Sequence, residues 1–218
     1  MKIRLSVFAC ALCFFAGLPM QSVGQAQYIE LECQERGGYG PFDYTDPANK
    51  QSLFLVESAH FTPSVARLIS GNAGRLGGDI DYTIRAFPNH HPALDALSRL
   101  GYRTKSHQPP DVLCSIEGYF ERAIRYKPDD ATVHMLYGIH FSRWGKSKES
   151  LEQFQIAEKL APNSPNILYN LGLAYFEQKD YERARDYAVK AYDKGFPSNI
   201  TGLQEKLKKI GKWQALAQ

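Results

Sequence analysis

The residues best placed by type to do chemistry are the adjacent His90 and His91, in the stretch AFPNHHPALDAL, and the upstream polar set Glu57, His60, Asp79 and Asp81. Imidazoles beside carboxylates are the raw material of general acid–base catalysis and of zinc sites. The spacing argues against both uses. Side chains of neighbouring residues diverge, so His90 and His91 make a poor chelate, and the sequence after residue 26 has no HExxH helix, no Ser-His-Asp ordering and no paired-cysteine motif. The glycine-rich GNAGRLGG, residues 71–78, lacks the GxxxxGK[ST] and GxGxxG spacings and reads as a turn. No catalytic residue, no metal ligand and no cofactor is therefore expected. Two alternatives stay open: a small-ligand or metal-binding protein that uses the His90-His91 junction, and a hydrolase in the N-terminal part.

The elements that carry these residues explain them differently. Slid against itself, the C-terminal half matches at an offset of about 34 residues: Gly138 meets Gly172, Phe141 meets Tyr175, Phe120 meets Phe154, Pro128 meets Pro162, and Ala123 meets Ala157 and then Ala191. Gly and Ala let paired antiparallel helices approach, aromatics fill the gaps between pairs, and Pro stops one helix before the next begins. Pro88-Asn89 precedes Pro92 as Pro128-Asp129-Asp130 precedes Ala131 and as Pro162-Asn163-Ser164 precedes Pro165. The two histidines thus sit at a helix stop followed by a helix start, where a capping role is expected.

On these residues, segments 131–164 and 165–196 resemble tetratricopeptide repeats. Leu171, Gly172, Tyr175, Ala184 and Ala191 stand at the family's positions, whereas His134 and Leu168 replace its Trp, Ser150 an Ala, and Ala188 an aromatic. Residues 89–130 read as an earlier repeat with an insertion, TKSHQPP, between its helices. The resemblance implies an all-α array of helical hairpins, an α-solenoid, that binds a protein partner in the groove lined by the first helix of each pair. By register the groove carries Met135, Ile139, Arg143, Tyr169, Asn170, Leu173 and Phe176, with Arg99 at its edge. Of the Lys, Asn and Arg positions with which some members hold a C-terminal carboxylate, only Asn170 matches. An apolar segment of a partner is the expected occupant.

The ends of the chain read separately. Lys2 and Arg4 precede LSVFACALCFFAGL and a polar segment with small residues, so residues 1–26 are read as a secretory signal, the run of about 14 apolar residues being short for the roughly 20 of a membrane span. Its removal takes the formal charge from +3 to +1, since Lys2 and Arg4 leave the 26 basic residues while the 23 acidic ones stay. A nearly neutral chain gives no case for nucleic acid. Cys33 and Cys114 remain as an even pair and are expected to form a disulfide in an exported, periplasmic protein. Residues 27–88 read as an irregular segment holding the best strand candidate, SLFLVESAHF, an aromatic-rich loop with Tyr39, Phe42 and Tyr44, and a degenerate hairpin of HFTPSVARLISG with DIDYTIRAFPNH. At the other end, residues 197–218 read as a capping helix with Leu203, Leu207, Ile210 and Trp213 on one face.

Overall fold

The computed structural model describes residues 38–197 and 202–213, and among these every regular element is helical. The helices are α1 (Lys50–His60), α2 (Pro63–Ala66), α3 (Leu76–Ala86), α4 (His91–Thr104), α5 (Ile116–Tyr126), α6 (Ala131–Arg143), α7 (Ser147–Leu160), α8 (Pro165–Glu177), α9 (Tyr181–Asp193) and α10 (Gly202–Lys209). The expected signal, residues 1–26, and Cys33 lie outside the described residues.

The strand expected over residues 52–61 is instead α1. Four consecutive apolar residues, Leu53 to Val56, imitate a strand, but only Val56 is buried while Phe54 and Leu55 are 66% and 50% exposed. Leu53, Val56, Glu57 and His60 recur at helical spacing and form the inward face. A 3₁₀ turn, Pro47–Asn49, leads into the helix, with the Asp46 side chain accepting from the Ala48 N–H. The expected hairpin partner also changes: α3 packs on α1 and α4 more than on α2, which is a single turn between α1 and α3. Helix is the outcome for residues 76–86, as the proline stop at Pro88 implies.

From α4 onward the hairpins alternate. The first helices, α4, α6 and α8, pack side by side, more extensively than the second helices α5, α7 and α9 pack on one another. A row whose members touch must lie on the inner side of the curve, so α4, α6 and α8 form the concave face. Two apolar clusters fill the array. One runs from Phe61 to Phe141 and includes Ile80, Leu97, Tyr119 and Phe120; the other runs from Phe154 to Leu207. Each fully buried side chain of this size contributes roughly 1.5–3 kcal/mol relative to exposure. Close approach explains the repeated glycines: a Cβ on Gly138 would stand 2.6 Å from the Phe154 ring, and one on Gly172 would stand 2.7 Å from Leu203 Cδ2.

The insertion after α4 folds back on the helices. Lys105 ends α4 in the left-handed conformation, the Leu113 N–H donates to Asp81 Oδ1 at 2.8 Å, and Pro110 O lies against Gly77 so closely that no Cβ fits. At the N-terminal end the aromatic loop seats on the first helices. The Phe42 N–H donates to Ala86 O, and the Phe42 ring lies 5.3 Å from that of Phe87. At the far end α10 caps the array with Leu203 and Leu207 fully buried, whereas Ile210 is exposed rather than on the buried face.

Candidate functional site

The junction histidines are structural in geometry. His90 is the N-cap of α4: its Nδ1 accepts from the Ala93 N–H at 3.1 Å, which leaves Nε2 as the protonated nitrogen, donating to Glu57 Oε1 at 3.0 Å. The ring is fully buried between Tyr44 and Phe61, and burial, the largest influence, pulls its pKa below the usual histidine value despite Glu57. His91 turns the other way and donates through Nε2 to Asp130 Oδ2 at 2.8 Å.

The remaining polar residues are tied up in separate pairs. Asp79 accepts from the Asn72 N–H at 2.6 Å, the Gly74 N–H at 3.2 Å and the His60 ring at 2.9 Å. Burial would raise its carboxyl, but these donors hold it below the ordinary aspartate value. The Asn72 and Gly74 amides of the glycine-rich loop, the donor type a bound phosphate needs, are thereby given to the protein's own carboxylate. Asp81 is 2% exposed and accepts from Arg85 Nε, the Leu113 N–H and the Tyr119 hydroxyl. The groove beside Glu57 is lined by Phe54, Ser58, Phe61, Thr62, Pro63 and Ala66 and includes neither His60 nor Asp81. Among the described residues, no three of Glu57, His60, Asp79, Asp81, His90 and His91 bring ligand atoms together as a metal ion requires.

The groove residues expected from register lie on α4, α6 and α8 of the inner row. Met135, Ile139, Leu173 and Phe176 are half-buried against the C-terminal core. Ser142 on α6 reaches Glu177 on α8 at 3.3 Å, which fixes these two helices as neighbours. Asn170 is partly exposed and donates to Asn166 O, one turn back. Tyr169 is 9% exposed, stacked on Phe196 with centroids 4.0 Å apart, and its hydroxyl accepts from the Leu203 N–H. Its position is therefore beneath the capping helix. Phe176 has Tyr181 beside it and Lys206 Nζ over its ring at 5.7 Å. Arg99 and Arg143 converge on Asp95: Arg99 Nε donates to Oδ2 and Arg143 Nη2 to Oδ1, both at 2.8 Å. Arg99 also donates to Ala66 O, and Arg143 to Ser98 Oγ. The two guanidiniums share the one Asp95 carboxylate, so the polar edge of the groove is a fixed network that keeps one net positive charge.

One polar group was missed by sequence reasoning. His107 in the insertion, Glu117 on α5 and His140 on α6 hold donor atoms within 4.8 Å of one another. Burial would raise the Glu117 carboxyl, but the His140 ring, its own backbone N–H and the His107 ring bring it down to about 2. These residues come from three segments, and no local spacing links them.

The match to a known family lies in the C-terminal half. Residues 141–200 match the family model described as Tetratricopeptide repeat. Similar solved structures include MamA MSR-1 C2, at 17% identity and a TM-score of 0.44 over 76% of this chain and 82% of that one. MamA AMB-1 is another, at 15% identity and 0.41 over 71% and 87%. No curated protein matches the chain.

Proposed function

Because the chain carries tetratricopeptide repeats over residues 141–200, we propose that it is a protein–protein interaction scaffold that takes an apolar segment of a partner on its inner row of helices. The observation that carries this reading is the surface of α6 and α8. Met135, Ile139, Leu173 and Phe176 lie on adjacent inner helices with part of their apolar surface still open, bordered by the Arg99–Asp95–Arg143 network. Partly exposed apolar side chains ringed by polar ones are the usual anatomy of a recognition surface. Tyr169 supports this surface from below rather than touching a partner, and Asn170 offers an amide at its rim. On this account the protein works without chemistry of its own, as an adaptor or assembly factor. It is exported by the segment 1–26 and acts in the cell envelope, with Cys33 and Cys114 bonded.

The experiment is a cross-linked capture from an envelope extract with wild type, Leu173→Glu and a control, Lys159→Glu, on the second-helix row. A partner held by wild type and control and lost by a folded Leu173→Glu supports the reading. A partner held equally by all three refutes the groove.

A further inference from the structure

We propose that His107, Glu117 and His140 bind a divalent transition-metal ion of the zinc class, at the seam where the insertion after α4 meets α5 and α6. The three side chains approach one another on a single side of the array. Nδ1 of His107 lies 2.7 Å from Glu117 Oε1, and Nε2 of His140 lies 3.5 Å from that oxygen. Ligand atoms of a tetrahedral zinc ion, each about 2.0–2.2 Å from the metal, are separated by about 3.3 Å. Small rotations of His107, which is 47% exposed, bring the set to that spacing.

The second observation is a buried nitrogen that makes no hydrogen bond. His140 is fully buried, yet its Nε2 makes no hydrogen bond. A buried polar atom of this kind normally makes a hydrogen bond, because water is not there to supply one. The opposite nitrogen is engaged: Nδ1 lies 3.0 Å from Ser98 Oγ, and Ser98 Oγ accepts from Arg143 Nη1 at 2.9 Å. With Nδ1–H donated to Ser98, the Nε2 lone pair points into the cluster, the orientation that a buttressed metal-binding imidazole adopts.

Two imidazoles and one carboxylate favour zinc and its neighbours over calcium or magnesium, which prefer oxygen ligands. The exposed side of His107 leaves the fourth position to water. Lys146 Nζ stands 3.5 Å from Glu117 Oε1 and must give way; its side chain is 40% exposed and free to swing outward. The Trp144 ring stacks on His107 with centroids 4.1 Å apart and so reports on the site. A bound ion here staples the insertion to two helices of different hairpins.

The test uses the full chain without an affinity tag, stripped with chelator and titrated with Zn²⁺ by calorimetry. Co²⁺ serves as a spectroscopic substitute, read by visible absorption and by quenching of Trp144. Expected are one zinc per chain with a dissociation constant of about 1 µM or tighter, Co²⁺ bands of a four-coordinate site, and a melting temperature raised by zinc. His107→Ala and Glu117→Gln each weaken binding at least about 100-fold, and Ser98→Ala about 10–100-fold, while His91→Ala leaves it unchanged. Because His107 is half-exposed, its replacement leaves the fold intact, and melting in chelator verifies this. Absence of saturable uptake by wild type overturns the proposal, as does uptake that survives His107→Ala and Glu117→Gln or that is lost in His91→Ala.

Discussion

His91, at the start of one helical pair, donates through Nε2 to the carboxylate of Asp130, at the start of the next, at 2.8 Å. The same carboxylate accepts from the Thr132 and Val133 N–H groups as the N-cap of α6 and from Asn89 Nδ2. Asn89 in turn accepts from the Tyr44 N–H and donates to Asp43. Two consecutive inter-repeat junctions and the N-terminal loop are thus held by one buried network. The third junction lacks this device, since Ser164 makes no side-chain cap bond.

That contrast gives the first prediction. Asp130→Ala removes a cap, worth about 1 kcal/mol, and leaves His91 and Asn89 facing an empty position. A loss of about 2–4 kcal/mol is expected by urea unfolding. Asp130→Asn keeps the cap acceptor and should cost clearly less, and Ser164→Ala should cost under about 0.5 kcal/mol.

The second prediction concerns acid. His90 is buried and its folded pKa lies below the ordinary 6.5, so the unfolded chain takes up a proton before the folded one. Its stabilising contribution is complete above about pH 6.5 and falls as pH drops from there toward the folded pKa, by at most about 1.4 kcal/mol per pH unit. Asp79 and Asp130, whose folded pKa values lie below 3.8, contribute stability that is present above that pH and is lost as pH falls through their folded values. Unfolding midpoints measured from pH 8 downward should show two declining limbs, the upper one absent in His90→Gln.

The third prediction tests close packing. On an exposed helix Gly→Ala gains up to about 1 kcal/mol. At Gly138 and Gly172 the added methyl meets Phe154 and Leu203 at 2.6–2.7 Å, and overpacking of this kind costs about 1–3 kcal/mol. Both variants should melt below wild type, with Gly172→Ala also loosening α10, as hydrogen exchange at Leu203 and Leu207 would register.

The fourth prediction separates the two roles of a buried carboxylate. Asp81→Ala strands the Tyr119 hydroxyl and the Leu113 N–H in the interior and removes the partner of Arg85. A loss of about 2–4 kcal/mol is expected. Asp81→Asn retains an acceptor and should recover at least half of it in the same unfolding assay.

The hairpin array from residue 89 onward was legible because Gly, Ala, aromatic and Pro each recur for a steric reason, and the capping use of His90 followed from its place after Pro88. The helix α1 was not, because Leu53 to Val56 is apolar without a break and only the tertiary contacts reveal that Leu53 and Val56 turn inward. Nor was the burial of Tyr169 under Phe196 and Leu203, which depends on where the capping helix lands. The convergence of His107, Glu117 and His140 is a product of how the insertion folds back, and periodicity carries no trace of it.

The most direct measurement is photo-crosslinking of the full chain, in its native extract, with a photoreactive amino acid placed at position 173 on the inner row or at position 156 on α7. The account predicts that position 173 yields a defined protein adduct and that position 156 yields none. An adduct at position 156 with none at position 173 would contradict it.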